Sequence, residues 1–571
     1  MLREKFSLRP DMASSLDMTS PPPISDELQR ATAAAEAGRF AEAEAACEQV
    51  LAGNPQDAAA LSLAGALAAQ RGDLAGAVAR YRAALALAPR FVKALSNLGA
   101  ALSSLGQFDE AERQLNLALE EDPAHGASLI NLGQVYLAQG RADDAIAALR
   151  RAVAALPQDV MAWNNLGAAY IGAERYDEAP AALERALALE PANASAWNNL
   201  GNAHRRGGRY AAAVDAFRAA IAHGAAAESW THLGIALRGL GREAEALEAH
   251  DRALAAKPDL AEARFNRALL LLAQGHFAAG WSDYRARASA RAFRARQGIA
   301  DTPRLPADMT GQRVLLSTNQ GFGDELFFLR FAPALKRRGA TIAYRTAGKI
   351  AGLVRQLPDL DAVIEDERAL PPADVTLLVD DLPYALGAAD TPPSPRLTPD
   401  GRSRDALRAR LAALGPPPYL GVTWRGGIDR SGSLFKQAPR AAVARALAQW
   451  PGTVVMLQRQ PAAGELDAFV AEAGRAAHDF TQLNDDLGEM LALLSLLDDY
   501  VAVSNTNVHL RHSLGLPSRV LVPLPADWRW MTDGDESPWF PGTRVYRQAA
   551  AGDWQQAFAQ LAADLMAGAG A

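Results

Sequence analysis

An α-solenoid of helical hairpins followed by two α/β lobes is the fold class this sequence predicts, on three observations. Glycine recurs every 34 residues at Gly65, Gly99, Gly133, Gly167 and Gly201, and Gly234 follows after 33. Proline keeps the same step at Pro55, Pro89, Pro123, Pro157 and Pro191, and Pro258 resumes it after one repeat. Beyond Arg313 the pattern changes to short apolar strands alternating with helix-length segments, which indicates parallel sheets.

The first 25 residues carry charges and prolines where a secretory signal needs an unbroken apolar core, so residues 1–25 read as a disordered leader. From residue 26 to 290 about eight hairpins follow, with Ala31 and Ala268 extending the glycine register outward. One hairpin cannot bury its own apolar face, so neighbours stack, and the stack offers a concave surface. Aromatics at the turns, such as Phe108, Tyr176 and Tyr210, read as packing in that stack. The period and its small-residue and proline positions resemble the tetratricopeptide repeat.

Two residues before each register glycine a polar residue recurs: Asn97, Asn131, Asn165 and Asn199, then His232 and Asn266. A carboxamide both donates and accepts, so a row of them could hold an extended acceptor backbone whatever its side chains. The alternative is that these amides cap or cross-link adjacent repeats. The array is similar to the asparagine ladder of eukaryotic O-GlcNAc transferase, which implies a protein acceptor in the groove.

At 571 residues the chain is long enough for two or three domains. Its 58 Lys plus Arg stand against 65 Asp plus Glu, so charge gives no reason to expect nucleic acid. The single Cys47 excludes an internal disulfide and a cysteine-based zinc cluster, and suits a reducing compartment, with cytoplasm as the expectation. Apolar runs such as 268–273 and 491–497 are far shorter than the roughly 20 residues of a membrane span, so none is expected.

Residues 291–311, basic and then proline-bearing, read as a solvated linker. The first lobe, 312–400, has strand-like RVLLSTN, TIAYRT and Val375 to Val379, and ends in the proline-rich TPPSPRLTPDG. The second, 401–571, runs through YLGVTW, TVVMLQ, YVAVS and RVLVPL. Two Rossmann-like lobes in series describe the GT-B architecture, with the ligand expected in the cleft at the carboxyl ends of the strands.

Gly321-Phe322-Gly323-Asp324-Glu325 follows the first strand and opens its helix, where backbone N–H groups favour negative charge. The stretch NQGFGDELFFLRF resembles bacterial glycosyltransferases related to the lipopolysaccharide heptosyltransferases. That resemblance implies Asp324 as the catalytic base of inverting sugar transfer, against the alternative of a helix N-cap. Arg425 in Thr423-Trp424-Arg425-Gly426-Gly427, and Lys436 a short loop later, resemble the basic loop by which the family contacts donor phosphate. The run VAVSNTNVHLRHSLGLPSRVLVPLP resembles the donor loop. It places Ser504 and Asn505 where the family has Asp-Thr, and it keeps His509.

With Thr506 these residues form a helix-start seat for phosphate, although the missing acid argues against an ADP-heptose donor and for an anionic one such as a CMP-linked acidic sugar. Trp528 and Arg529 in the loop Pro525 to Trp530 could meet nucleobase and phosphate, or the tryptophans could plug the lobe interface. Adjacent acids, Asp380-Asp381, Asp485-Asp486 and Asp498-Asp499, read as helix ends or solvated faces, and no metal or other cofactor is expected. The whole resembles bacterial tetratricopeptide-fused protein O-glycosyltransferases, including those that modify flagellin with nonulosonic acids. This implies a nucleotide sugar and a protein acceptor, with an inactive adaptor or a lipid- or polysaccharide-directed transferase as alternatives.

Overall fold

The computed structural model describes residues 26–299, 301–346, 348–426, 436–550 and 552–568; the leader and Gly427 lie outside them. The chain divides into two compact units, one ending at Ser229 and the other beginning at Trp230.

In the first unit six helical hairpins follow one another, from Asp26–Glu36 with Phe40–Gly53 to Ala194–Arg206 with Tyr210–Ala222. Aspartates and asparagines begin several of these helices because their side chains accept an otherwise unpaired N–H of the first turn. Asp57 accepts from Ala60, Asp159 from Ala162 and Asn193 from Ala196. The register glycines have a steric cause. A Cβ on Gly133 would lie 2.5 Å from Cγ of Leu149 on the second helix of its hairpin, so the two helices cross where only hydrogen fits. Leu115, Leu183 and Phe217 sit in the same way on Gly99, Gly167 and Gly201.

The second unit opens with two more hairpins, the seventh continuing into Glu243–Ala256 and the eighth made of Ala261–Ala273 and Phe277–Tyr284. In the seventh hairpin the knob on the register glycine is His250, whose ring atoms come within 2.6 Å of a Cβ built on Gly234. A helix Ala288–Gln297 then leads toward two sheets. Just before it, Arg287 is buried against Asp380 and Asp381, which lie at a helix end as one reading of the acid pairs has it, but buried rather than on a solvated face. Of the other acid pairs, Asp486 is a helix end, capping Leu487–Leu494, whereas Asp499 begins a strand and is paired with Arg519 rather than solvated.

The first sheet has four strands, β1 (Arg313–Ser317), β2 (Thr341–Arg345), β3 (Ala362–Ile364) and β4 (Val375–Leu378), all parallel in the order β3-β2-β1-β4. The second has β5 (Tyr419–Thr423), β6 (Thr453–Met456), β7 (Ala477–Asp479), β8 (Asp499–Val503), β9 (Arg519–Val522), β10 (Glu536–Ser537) and β11 (Phe540–Arg547). Its order is β10-β11-β9-β8-β5-β6-β7, with only β10 antiparallel to its neighbour. The strands alternate their side chains between two cores. Val501, Val503, Leu420 and Val422 face helices Arg440–Ala446, Glu465–Ala473 and Gln555–Gly568, while Tyr500, Ala502, Val520 and Val522 join a core shared with the first sheet and the eighth hairpin. Among the described residues no helix is long and apolar enough to cross a membrane.

Candidate active site

Two helix starts meet where the strands of the two sheets end. After β1 the chain turns at Gly321 into the helix Phe322–Leu329, and after β8 it turns at Asn505 into Thr506–Ser513. These helices touch at Gly323. A Cβ there would stand 3.0 Å from Cδ2 of His509 and 3.4 Å from the Cα of Thr506, so glycine lets the second helix come close. The sequence-predicted Gly323, Asp324, Thr506 and His509 are thereby brought to one place.

Asp324 lies in the first turn of its helix, yet it does not cap it; Gly321 holds that position, and its carbonyl accepts the Asp324 N–H. The carboxylate instead accepts from Arg529, with Nη2 2.5 Å from Oδ1, and keeps 35% of its side-chain surface open. Arg529 is buried and also binds Asp527 through Nη1, at 3.1 and 3.2 Å. Lys436 closes the series, its Nζ 3.1 Å from Asp527 Oδ2. Cations and carboxylates thus alternate from Lys436 through Asp527 and Arg529 to Asp324.

Although burial alone would raise it, the Asp527 carboxyl is held far below the usual range by Arg529 and Lys436. Burial works the other way on His509. Removal from water, then the charges of Arg529, Arg330 and Lys436, push its imidazole well below its ordinary value, so it stands neutral. Beside Asp324, Glu325 is buried and its carboxyl is raised by burial despite hydrogen bonds from Tyr344 and Thr346. Asp324 is therefore the open acid of the pair.

Other expected site residues have different surroundings. The Arg425 guanidinium binds Glu465 at 3.1 Å and the Gln460 carbonyl, which turns it onto the helix Glu465–Ala473. Gly426 supplies closeness: its N–H bonds the Lys436 carbonyl, and a Cβ would fall 2.7 Å from the Ser504 carbonyl. Asn505 is a helix cap, accepting the Val508 N–H and lying against the buried Tyr500 hydroxyl. Trp528 is 3% exposed, edge-on to Trp281, Phe327 and Trp539. It and Trp530 are packing, the plug of the two alternatives, because the eighth hairpin and helix Phe322–Leu329 close over the ring that a base would need to reach.

The amide row also differs from an open ladder. Asn97, Asn131 and Asn165 are buried, since the first helices of successive repeats pack over them. Asn199 donates to Asn164 of the preceding repeat at 2.9 Å, and Ser229 donates to Asn198 at 2.9 Å, so amide links between repeats do exist in this row and beside it. The Nδ2 of Asn165 has no hydrogen-bond partner among the described residues. His232 is buried, and Asn266 turns back to its own helix, donating to the Glu262 carbonyl.

Asp527, Glu325, Asp380 and Gln320 have no role assigned by the sequence patterns. The acid two residues before Arg529 is the available signal for Asp527, because that spacing lets a side chain bond the N–H two residues on.

A helical repeat region and two adjoining parallel-type sheets are the class this architecture defines. Residues 96–160 and 164–229 match a family model described as tetratricopeptide repeat, and residues 65–106 match a TPR repeat model. The chain therefore carries tetratricopeptide repeats over these residues.

Among individual proteins, it is similar to Protein FlbA of Caulobacter vibrioides, 27% identical over 358 residues, which cover 55% of this chain and 56% of that protein. The chain spans little more than half the length of this curated relative. Among solved structures, it is similar to a thermophilic TPR protein of Thermus thermophilus, with 25% identity, 31% of this chain and 97% of that one covered, and a TM-score of 0.28. It is also similar to MamA of Desulfovibrio magneticus RS-1, with 24% identity, 29% and 94% covered, and a TM-score of 0.27.

Proposed function

We propose that the protein is an inverting glycosyltransferase of GT-B type that moves a sugar from a nucleotide donor to a Ser or Thr hydroxyl of a protein held by its repeats. The observation that carries this reading is the meeting of the Asp324 helix start with the Thr506 and His509 helix start, beside Lys436 and Arg529. A partly open carboxylate then faces the place where a helix dipole and cations favour phosphate.

In the reaction, Asp324 takes the proton of the acceptor hydroxyl while that oxygen forms the new bond to the anomeric carbon. The bond to the nucleotide phosphate breaks on the opposite face, and the negative charge it leaves is met by Arg529, Lys436 and the first N–H groups of Thr506–Ser513. Neutral His509 can donate one hydrogen bond there without adding charge. No metal is required by this scheme, and the work belongs in the cytoplasm, where nucleotide sugars are made.

The repeats bring the acceptor. Tetratricopeptide arrays bind peptides, and covalent attachment of an acceptor-binding array raises the local concentration of hydroxyl at the site. The uncharged Ser504, where related transferases have an acid, favours an anionic sugar such as a CMP-linked nonulosonic acid, and flagellin is the acceptor that the resemblance suggests.

The test is transfer by the full chain from each nucleotide sugar to acceptor, compared with Asp324→Asn. Loss of transfer with unchanged nucleotide binding and melting supports the assignment, and retained turnover removes Asp324 as base.

A second reading, a protein-binding scaffold without catalysis, is favoured by one observation: Asp324 is already paired with Arg529. Thermal-shift titration with CMP, UDP, GDP and ADP separates the two, because a ligand of the folded state raises its melting temperature. No shift with any of them favours the scaffold.

A further inference from the structure

We infer that Asp380 is a positioning residue that, anchored by Arg287, fixes the loop on which Asp324 stands; the inference rests on the transferase reading above. The loop 318–321 joins β1 to the helix Phe322–Leu329, and its first residues have two outside anchors. Gln320 Nε2 donates to Asp380 Oδ2 at 2.9 Å, and Asn319 Nδ2 donates to the Ser289 carbonyl at 3.4 Å. Asp380 follows β4, the strand paired with β1, so the anchor sits on the same rigid sheet as the loop's root.

Asp380 is 1% exposed, and an isolated carboxylate so buried would be costly. Arg287 supplies the counter-charge. Its Nη2 is 2.6 Å from Asp380 Oδ1 and its Nη1 is 2.5 Å from Asp381 Oδ1, while its plane rests over the Tyr284 ring at 4.8 Å. Thr302 Oγ1 donates to the remaining oxygen of Asp381 at 3.0 Å, and Arg294 stands 3.8 Å from that oxygen. Three segments meet here: the connection after the eighth hairpin, the end of β4 and the loop after β1.

Apolar residues of similar volume would fill such a space at no loss of stability and often with a gain. What a buried ionic group adds is direction: Gln320 can donate to Asp380 in few orientations, and each fixes where the Gly321 to Asp324 turn begins. A base must lie within hydrogen-bond reach of its proton, and misplacement by about 1 Å can cost about 100-fold in rate.

The experiment exchanges the two partners in the full chain. Gln320→Glu sets two carboxylates against each other, whereas Gln320→Glu with Asp380→Asn restores one hydrogen bond with donor and acceptor reversed. Expected for the single variant are a kcat lower by about 100-fold with the donor KM changed by less than about twofold, and faster hydrogen exchange in residues 318–326. The double variant recovers both kcat and protection. Arg287→Lys, whose one nitrogen cannot reproduce the planar fork that sets separate nitrogens on Asp380 and Asp381, is expected to speed the same exchange.

Wild-type kcat and exchange in Gln320→Glu, or a double variant that melts normally but recovers neither, would overturn the inference. If the wild-type chain transfers no sugar at all, the transferase reading fails, and the exchange in 318–326 by itself decides whether Asp380 holds the loop.

Discussion

Gly323 lies so close to His509 that a Cβ on it would stand 3.0 Å from the imidazole Cδ2. The two residues belong to different sheets' helices, and their approach sets the separation of Asp324 from the Thr506 helix start. A methyl group there forces a shift of a few tenths of an ångström, and a branched side chain forces more. Gly323→Val should lower stability by about 1–3 kcal/mol through overpacking, measured by urea unfolding, and should weaken nucleotide binding more than Gly323→Ala does. Equal nucleotide affinity in both variants would show that the spacing is not used.

Arg529 joins Asp324 and Asp527, and its removal leaves the buried Asp527 with Lys436 as its charged partner. Arg529→Met should destabilise the protein by about 3–5 kcal/mol, the cost of breaking a buried pair. Adding Asp527→Asn should return part of that loss, because the stranded charge is gone. A strictly additive pair, read from urea unfolding of the two single variants and the double, would refute the link.

His250 gives the protein a pH dependence of defined sign. Its imidazole is 0% exposed, neither ring nitrogen has a hydrogen-bond partner among the described residues, and burial, then Arg238 and Arg267, lowers its value to about 3. Protonation is thus easier in the unfolded chain, whose histidine titrates near 6.5. The contribution to stability is fully present above pH 6.5 and declines as pH falls toward 3. By pH 5 the loss is about 2 kcal/mol, and His250→Leu, which restores the apolar knob of other repeats, should remove it. Hydrogen exchange in the helix Glu243–Ala256 at pH 7.5 and pH 5 measures this, after correction for intrinsic rates; an identical pH response in His250→Leu would refute it.

The buried amides of the repeats can be tested for ligand binding apart from packing. Asn131→Ala with Asn165→Ala removes two of them, and Asn165 Nδ2 has no partner to lose among the described residues. If an acceptor backbone uses these amides, its affinity should fall by about 1–3 kcal/mol, read by calorimetry. Unchanged affinity assigns them to packing between repeats.

The repeats were legible in the sequence because a helix crossing as tight as Gly133 on Leu149 admits only glycine, and it recurs from Gly65 to Gly234, with Ala31 and Ala268 at the two ends of the register. The central strands were legible as well, since β1, β5, β8 and β9 are apolar on both faces. β3, β7 and β10 were not: they are two or three residues long and partly exposed, too short to show a period. Gly323, Asp324, Thr506, His509, Lys436 and Arg529 were each singled out by local motif and do converge. The misread residues depended on distant partners. Arg425 faces Glu465 forty positions later, Asp381 is buried by Arg287 from 94 positions earlier, and Trp528 is covered by Trp281 from the eighth hairpin. No local pattern carries that information.

The loop bearing Asp527 and Arg529 is held from outside the sheets. Arg238 of the seventh hairpin donates to the Ala526 carbonyl at 2.9 Å, Glu243 accepts from Thr532, and the Thr532 N–H bonds the Ala273 carbonyl. Trp281 and Tyr284 of the eighth hairpin are buried in the same core as Phe327, Trp528 and Trp539. Counting hairpins by their period would put a seam for protein engineering near residue 290, but a cut there strips the wall from this loop and opens an aromatic core to water. A chimaera meant to exchange recognition while keeping chemistry should carry the last two hairpins with the sheets and trade only the first six.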